Sequence, residues 1–222
     1  MESDRSDEKH TISLGAKAAQ FDRLYSSCEE YTEKSVLGTH SQFAKFIISG
    51  DSVLDVGCGE GFLLGELKKH VPSLHYKGID ISSTAVGRCR KSFPDFSFSV
   101  CAAEDFVSDK KFDVVFFCGV LQYSDDQEKA LHTLHSLNSG MYVVSVPNKY
   151  FLPYHLKKHS ISETLHGKYG WERLFRKCGF IVAGCTPYLP KGKEWVGYIP
   201  LVLNYSFIFV LTKGEVLHSS TR

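Results

Sequence analysis

The sequence predicts an α/β protein with a doubly wound sheet of seven strands, mostly parallel, with the last strand antiparallel. Short apolar runs alternate with helix-length segments along most of the chain, which is typical of parallel strands joined by crossover helices. The alternation stops before the final run. The connection there is rich in Pro, Gly and Lys and has no amphipathic pattern, so we expect the last strand to enter antiparallel through a loop or hairpin.

Seven runs have strand character, and between most of them apolar residues recur at helical spacing. The runs cover residues 52–57, 75–80, 96–100, 112–118, 141–146, 180–185 and 205–211. The helical patterns follow Gly61, precede Gly140 and precede Gly179. The last two glycines are suited to ending a helix, so we predict that each caps the helix before it.

Composition limits the classes of protein that the chain can belong to. Its 222 residues, 43% of them hydrophobic, suit one domain, and 26 Lys+Arg against 25 Asp+Glu leave no basic surface for nucleic acid. The seven cysteines are scattered and form no C-x-x-C pair, which predicts reduced thiols in a cytoplasmic protein and no metal site. The polar N-terminus lacks the apolar core of a secretory signal, so residues 1–15 are predicted to be a flexible tail.

One uncharged segment is almost long enough to cross a membrane. Trp195 to Thr212 spans 18 residues without a charge, close to the ~20 that a membrane helix needs. Gly197 and Pro200 interrupt it, and Val, Ile, Tyr and Phe dominate its composition. This pattern favours a core strand preceded by a Pro-containing connection, with no stable membrane insertion.

The stretch "SVLDVGCGEG", Ser52 to Gly61, places three glycines directly after a predicted strand. Ligands of open α/β sheets bind beyond the carboxyl ends of the strands, where glycines let the backbone approach them closely. A dinucleotide site is disfavoured, because the third glycine comes one residue early for G-x-G-x-x-G and Glu60 would crowd a phosphate. A tight connection without a ligand is the other interpretation.

Asp80 ends the next predicted strand, where a carboxylate can accept hydrogen bonds from both hydroxyls of a ribose. The alternative is that Asp80 caps the helix that begins near Ser82 or Ser83. Combined with the glycine turn of the preceding strand, Asp80 favours a ligand that contains adenosine.

Four stretches, "VLDVGCGEG", "GIDIS", "CAAEDF" and "FDVVFFCGVLQYSDDQEKAL", resemble in order and spacing the successive motifs of class I S-adenosylmethionine-dependent methyltransferases of the small-molecule type. This resemblance implies a Rossmann-like sheet with an antiparallel seventh strand and S-adenosyl-L-methionine as cofactor. It also implies one domain over residues 16–214. The domain would comprise an N-terminal helical cap (16–48), a cofactor-binding half (50–147) and a substrate-side half (148–214).

The resemblance assigns cofactor contacts at the ends of the first four strands. They begin with the amino-acid end of the cofactor, continue to the ribose and adenine, and finish at the methionine portion: Asp55, Gly57, Cys58, Gly59, Gly61, Asp80, Ile81, Ala103, Glu104, Cys118, Gly119 and Leu121.

The resemblance also excludes some acceptors. Enzymes that methylate the amino groups of bases carry an Asn/Asp-Pro-Pro-aromatic motif after the fourth strand, where this chain has "FCGVLQY". Cys118 lacks the preceding proline of a cytosine C5 nucleophile and is better interpreted as a small core residue. Many small-molecule members have a histidine where this chain has Leu121-Gln122-Tyr123, so the chemistry of the acceptor stays open.

The acceptor is expected above the fourth and fifth strands, between the N-terminal helical region and the segment Lys149–His166. A histidine in this segment, His155 or His159, is a candidate general base, because its ordinary pKa lies near neutral pH. Tyrosines from both sides are candidate acceptor contacts: Tyr25, Tyr31, Tyr123, Tyr150 and Tyr154. Ordinary packing or surface positions are the alternative for each of these residues.

We therefore expect methyl transfer to an oxygen or nitrogen atom of a small-molecule acceptor by a cytoplasmic monomer or homodimer. A catalytically silent cofactor-binding partner or scaffold of another methyltransferase is the main alternative. The intact glycines and Asp80 favour the enzyme. A protein or rRNA methyltransferase is disfavoured, because the chain lacks an appended recognition domain and a basic face.

Overall fold

The computed structural model describes residues 2–27, 40–151, 161–188 and 206–214, with the side chains of the first helix from residue 15 onward. Its seven strands form one sheet in the order β3-β2-β1-β4-β5-β7-β6. The strands are β1 Ser52–Val56, β2 His75–Asp80, β3 Ser97–Val100, β4 Lys111–Cys118, β5 Asn138–Pro147, β6 Phe180–Pro187 and β7 Ser206–Lys213. Only β7 runs antiparallel to its neighbours β5 and β6, which confirms the predicted fold class.

Five α-helices and three short 3-10 helices accompany the sheet in the described residues. The α-helices are α1 Glu2–Ser27, α2 Phe62–His70, α3 Ser83–Ser92, α4 Gln127–Ser136 and α5 Lys168–Lys177. The 3-10 helices are His40–Phe46, Ala103–Asp105 and Leu121–Tyr123.

The core lies on both faces of the sheet, as a doubly wound fold requires. Alternate residues of β4 enter opposite layers, with Phe116 in the layer of α2, α3 and the first 3-10 helix. Phe117 enters the layer of α4 and α5, where Trp171 and Phe175 are fully buried. Because β4 is apolar on both faces, its sequence is an almost continuous hydrophobic run.

Two local predictions differ from the structure. Gly140 does not cap α4, because that helix ends at Ser136 and β5 begins at Asn138, where pairing with Lys111 extends the strand. Gly179, by contrast, follows α5 with a φ of +90°, as predicted. Residues 2–15, expected as a tail, belong to α1; this stretch contains no proline that would stop a helix continuing from residues 16–27.

Strand β7 accounts for the end of the uncharged segment. Phe207, Ile208, Phe209 and Leu211 are fully buried, because β7 lies inside the sheet and needs apolar residues on both faces. Residues 195–205 of this segment lie outside the described residues. Within the described ranges, no helix combines the length and the apolar composition needed to cross a membrane.

Candidate functional site

The glycine turn after β1 has a backbone that only glycine adopts easily. Gly57, Gly59 and Gly61 have φ values of +77°, +52° and +83°, and the N–H of Gly57 donates to Ile79 O of β2 at 2.7 Å. A Cβ on Gly59 would lie 2.9 Å from Oη of Tyr25, and one on Gly57 would clash with Val120. The bare backbone of this turn, the glycine cradle, therefore faces Val120 in the turn after β4 and Tyr25 of α1.

Asp80 joins this turn to the start of α3. Its Oδ2 accepts a hydrogen bond from Gly59 N at 2.8 Å, and its Oδ1 accepts one from Ser82 N at 2.8 Å. Helix α3 is capped by Ser82, whose Oγ accepts from Ala85 N, so Asp80 is not its N-cap. Burial raises the pKa of Asp80, and the backbone hydrogen bonds oppose this shift. A carboxylate has about four acceptor sites, so Asp80 retains acceptor capacity for a ligand hydroxyl beside its hydrogen bonds from the backbone of Gly59, Ser82 and Ile81.

Asp55, at the end of β1, is buried beside Asp80. Its Oδ2 accepts a hydrogen bond from Oη of Tyr76 on β2. Burial raises the pKa of Asp55 to about 7; the Tyr76 hydrogen bond lowers it and the charge of Asp80 raises it. The Asp55 carboxyl therefore holds its proton more strongly than an ordinary aspartic acid.

Two thiols and one ion pair support the glycine turn. Cys58 and Cys89 both direct their Sγ atoms at Gly59 O, at 3.8 and 3.1 Å. The hydrogen bond with Cys89, and then burial, raises the pKa of Cys58 well above its ordinary value, so Cys58 is a neutral supporting residue. Glu60, interpreted from the sequence as an obstacle to phosphate, pairs with Arg88 of α3.

The loop after β3 lies next to the end of β2, because Asp80 pairs with Val100. Glu104 in this loop is buried; its carboxylate accepts a hydrogen bond from Ser124 Oγ, and its backbone oxygen accepts one from Thr133 Oγ1 at 3.0 Å. Ala103 packs against the core and Ile81 is half-buried. The structure thus brings these predicted residues to one edge of the sheet.

The turn after β4 is only partly as the sequence suggested. Cys118 is half-buried, and Gly119 is exposed with a φ of +70°. The side chain of Leu121 is fully buried in the core, so only its backbone lies at this edge. Its carbonyl oxygen accepts a hydrogen bond from Gln127 Nε2 at 3.1 Å.

Helix α1 crosses the carboxyl edge of the sheet. Lys17 donates hydrogen bonds to Tyr123 O and to the carboxylate of Asp125, and the ring of Phe21 packs edge-on against Tyr123 at 5.4 Å. At the other end, Asp22 accepts hydrogen bonds from Ser82 Oγ and Thr84 N, the latter at 3.0 Å. No motif in the sequence indicated these contacts; the only signal is the i, i+4, i+8 spacing of Lys17, Phe21 and Tyr25.

Side-chain hydrogen bonds also tie the segment after β5 to the start of α4. Gln127 Nε2 donates to Thr164 O at 3.0 Å, and Gln127 Oε1 lies 2.9 Å from His166 Nε2. Because this oxygen can only accept, His166 carries its proton on Nε2. Burial lowers the pKa of His166, and Lys149 lowers it further. No motif in the sequence indicated the Gln127–His166 pair.

The remaining candidate residues are distributed unevenly. Tyr150 is 68% exposed, with its ring against Gly167, so in this structure it faces solvent. Tyr31, Tyr154, His155 and His159 lie outside the described residues.

Two clefts flank this region, and neither is lined by the Gly57–Gly61 turn or by Asp80. One of about 680 Å³ lies between α1 and Ile161, and one of about 590 Å³ lies beside α4 and His166. In the described part of the chain, no three His, Cys, Asp or Glu side chains gather as metal ligands would.

Comparison with known proteins identifies the family of the chain. Residues 47–178 match a family described as a methyltransferase domain. A trans-aconitate 2-methyltransferase of Escherichia coli O17:K52:H18 is 28% identical over 77% of this chain and 74% of its own. Malonyl-[acyl-carrier protein] O-methyltransferase 1 of Ilyobacter polytropus is 30% identical over 39% of this chain. The matched part is only 33% of the length of that relative. The magnesium protoporphyrin IX methyltransferase of Synechocystis with bound S-adenosylhomocysteine (SAH) has a TM-score of 0.62, 18% identity, and covers 94% of this chain and 99% of its own.

The fold and the site define a nucleoside-binding α/β domain with a glycine cradle. The chain belongs to the methyltransferase-domain family and contains an S-adenosylmethionine-dependent methyltransferase domain. The residues present fit this cofactor: the cradle would be filled by any Cβ at Gly59, and Asp80 offers lone pairs to the ribose hydroxyls.

Proposed function

We propose that the chain transfers the methyl group of S-adenosylmethionine to an oxygen or nitrogen atom of a small-molecule acceptor. The observation that carries this proposal is the left-handed glycine turn, which is joined to Asp80 and covered by Tyr25 of α1. A separate cleft of about 680 Å³ between α1 and Ile161 has a volume within the ~300–1,000 Å³ of small-molecule sites. Relatives named for trans-aconitate and for a malonyl group on a carrier protein support an acceptor of this size.

The cofactor supplies an electrophilic methyl group on a sulfonium, and the protein contributes positioning and exclusion of water. In this proposal Asp80 binds the ribose, and the Gly57–Gly61 turn and Asp55 hold the amino-acid end. Ala103 and Glu104 flank the adenine. Helix α1 covers the site and excludes water.

Residues from both sides of the cleft contact the acceptor in this proposal. Tyr25 and Tyr123 approach it from α1 and the turn after β4, and Tyr31, Tyr150 and Tyr154 complete the set. An acceptor hydroxyl or ammonium loses a proton during transfer, and His155 or His159 is the proposed base. An acceptor carboxylate needs no base, so the requirement for these histidines reports on the chemistry of the acceptor.

A screen with labelled S-adenosylmethionine and fractionated metabolite extracts tests this function. The wild-type protein is expected to label a small molecule, and Gly59→Val, which fills the cradle, is expected to label nothing. Mass spectrometry of the product then identifies the methylated atom. Transfer only to proteins or RNA in a whole-cell extract would contradict a small-molecule acceptor.

A silent cofactor-binding partner of another methyltransferase is the second candidate. The complete glycine turn and the paired Asp80 argue for an active enzyme. Tight SAH binding without transfer to any fraction would favour the silent partner. Size-exclusion chromatography tests the predicted monomer or homodimer, and fractionation of cells tests the predicted cytoplasmic location.

A further inference from the structure

Two buried glutamines at the same edge of the sheet differ in their hydrogen bonds. Gln127 is 9% exposed, and both ends of its amide are used, because Nε2 donates to two backbone oxygens and Oε1 accepts from His166. Gln122 is 5% exposed, and its Nε2 donates to Gly119 O at 3.0 Å. Among the residues that the structure describes, the buried Oε1 of Gln122 has no hydrogen-bond partner.

The orientation of the Gln122 amide follows from its neighbour. Gly119 O can only accept a hydrogen bond, so the NH₂ group must face it and Oε1 must occupy the other position. The backbone of Gln122 is also held, because its carbonyl oxygen accepts from Thr164 N at 2.8 Å. Buried polar atoms in native proteins almost always have a partner, so this fixed, unpaired oxygen calls for a donor from a ligand.

The turn that carries Gln122 meets the glycine turn. Strands β1 and β4 are neighbours, and a Cβ on Gly57 would clash with the side chain of Val120. Gln122 lies two residues beyond Val120 and folds back to Gly119, so its amide lies beside the gap between these two turns. The amino-acid end of the cofactor is assigned to this gap, and its α-ammonium group brings three N–H donors.

We propose that Gln122 Oε1 accepts a hydrogen bond from the α-ammonium group of bound S-adenosylmethionine. Gln122 is then a cofactor-binding residue next to the glycine turn and reads the one charged donor of the amino-acid end. A hydrogen bond to a charged group is stronger than one between neutral groups, and its strength rises where water is excluded. The unpaired oxygen is therefore satisfied only in the cofactor complex.

Calorimetric titration of purified protein tests this inference with two probes: SAH, and its analogue that lacks only the α-amino group. The substitution Gln122→Met keeps the length of the side chain but removes the amide, both Oε1 and the Nε2 donor to Gly119 O; the second probe separates the two losses, because only SAH carries the α-ammonium group. We expect it to weaken SAH binding about ten- to a hundredfold and to leave the affinity for the deaminated analogue unchanged. The melting temperature of ligand-free Gln122→Met checks that the variant folds: loss of the hydrogen bond to Gly119 O lowers it, and removal of the unpaired buried oxygen offsets part of this loss.

Gln127→Met is the matched control, since it removes an equally buried amide whose atoms are all paired. It is expected to lower the melting temperature and to leave the ratio of the two affinities at its wild-type value. Unchanged SAH affinity in Gln122→Met, or an equal loss for both probes, would overturn the inference. A wild-type protein that binds neither probe contradicts the proposed function as well, so the two failures are distinguishable.

Discussion

The glycine turn after β1 and the segment after β5 lie at the same edge of the sheet, but they are held in different ways. The donors of the glycine turn are its own backbone N–H groups: Gly57 N and Cys58 N both donate to Ile79 O, and Gly59 N donates to the Asp80 carboxylate. The segment from residue 161 to 167 is held partly by backbone hydrogen bonds of Thr164 and His166 and partly by the Gln127 side chain, which contacts the same two residues.

In the proposed function, this difference separates the segment that binds the cofactor from the segment that binds the acceptor. A turn built on left-handed glycines tolerates almost no substitution, which suits a cofactor that never changes. A segment tied by side chains can be altered one tether at a time without moving the sheet. Substitutions in the glycine turn should therefore abolish cofactor binding, whereas substitutions in the segment after β5 should weaken function by degrees.

Gly59→Val has the largest expected effect on the cofactor side. Its Cβ would lie 2.9 Å from Tyr25 Oη, on a backbone with a φ of +52°. SAH binding, measured by calorimetry, should be lost. Gly87→Ala in α3 is the control, because open space surrounds its Cβ; it should keep binding and gain roughly 0.5–1 kcal/mol of stability. Normal SAH affinity in a folded Gly59→Val protein would contradict cofactor binding at the glycine turn.

On the acceptor side, the substitutions His155→Ala and His159→Ala test the proposed base. If one of them accepts the proton, its loss should lower turnover by ~10²–10⁴ and leave SAH affinity unchanged. The wild-type rate should then fall as pH drops through the imidazole pKa. Near-normal turnover of an identified acceptor in both variants would remove general-base catalysis by this segment.

Asp80→Ala should weaken SAH binding by roughly ten- to a hundredfold, because it removes a charged acceptor from the ribose hydroxyls. It also leaves Gly59 N and Ser82 N without their partner, so the melting temperature should fall too. Asp22→Asn is a useful comparison, since Asp22 contacts the same helix start. A lower melting temperature with wild-type affinity would assign Asp80 a purely structural role.

Trp171→Phe should loosen the acceptor side alone. Trp171 is fully buried and its Nε1 donates to Pro147 O at 3.0 Å. Losing this bond should cost about 1–3 kcal/mol of stability, or about 2–4 °C per kcal/mol in melting temperature. SAH affinity should stay within twofold of wild type. A loss of SAH affinity that accompanies the loss of stability would contradict the separation of the cofactor side from the acceptor side. Tyr169→Phe, at an exposed position, should change neither quantity.

The smallest expected effect is a change in pH dependence. Between its ordinary pKa of 3.8 and its raised pKa of about 7, Asp55 keeps a proton in the folded protein that the unfolded chain releases. Its contribution to stability therefore falls as pH rises through this window. Asp55→Asn should melt at a higher temperature than wild type at pH 8 and show little difference at pH 4. Asp113→Asn is the control: a backbone hydrogen bond from Ser52 lowers the pKa of Asp113, so the effect of this substitution on the melting temperature should be constant above pH 5. An Asp55→Asn protein whose melting temperature follows the wild-type pH profile would contradict the raised pKa of Asp55.

The sequence predicted what short-range backbone rules control. Strand order along the chain, the antiparallel last strand, and the turn at Gly57 to Gly61 follow from hydrophobic periodicity and from glycine. Gly140 shows the limit: glycine occurs at helix ends and within strands, and only pairing of β5 with β4 decided between them.

Contacts between distant side chains were not predictable from a single sequence. Gln127 and His166 are 39 residues apart, and Asp22 and Ser82 are 60 apart, without a motif that joins either pair. Leu121 was assigned to the cofactor by its motif, yet its side chain is part of the core. Gln122, one residue later, carries the unpaired oxygen, and only the hydrogen-bond pattern distinguishes the two.

The position of β7 has a consequence for the order in which the protein folds. The strand at Ser206–Lys213 lies between β5 and β6, although it is the last of the seven in sequence. Until it is inserted, β5 has an open edge and both core layers lack Phe207, Ile208 and Phe209. During synthesis the sheet therefore completes only after residue 213 is made. A nascent chain that is already able to form the glycine turn still exposes the unpaired edge of β5, and unpaired strand edges favour misfolding and aggregation.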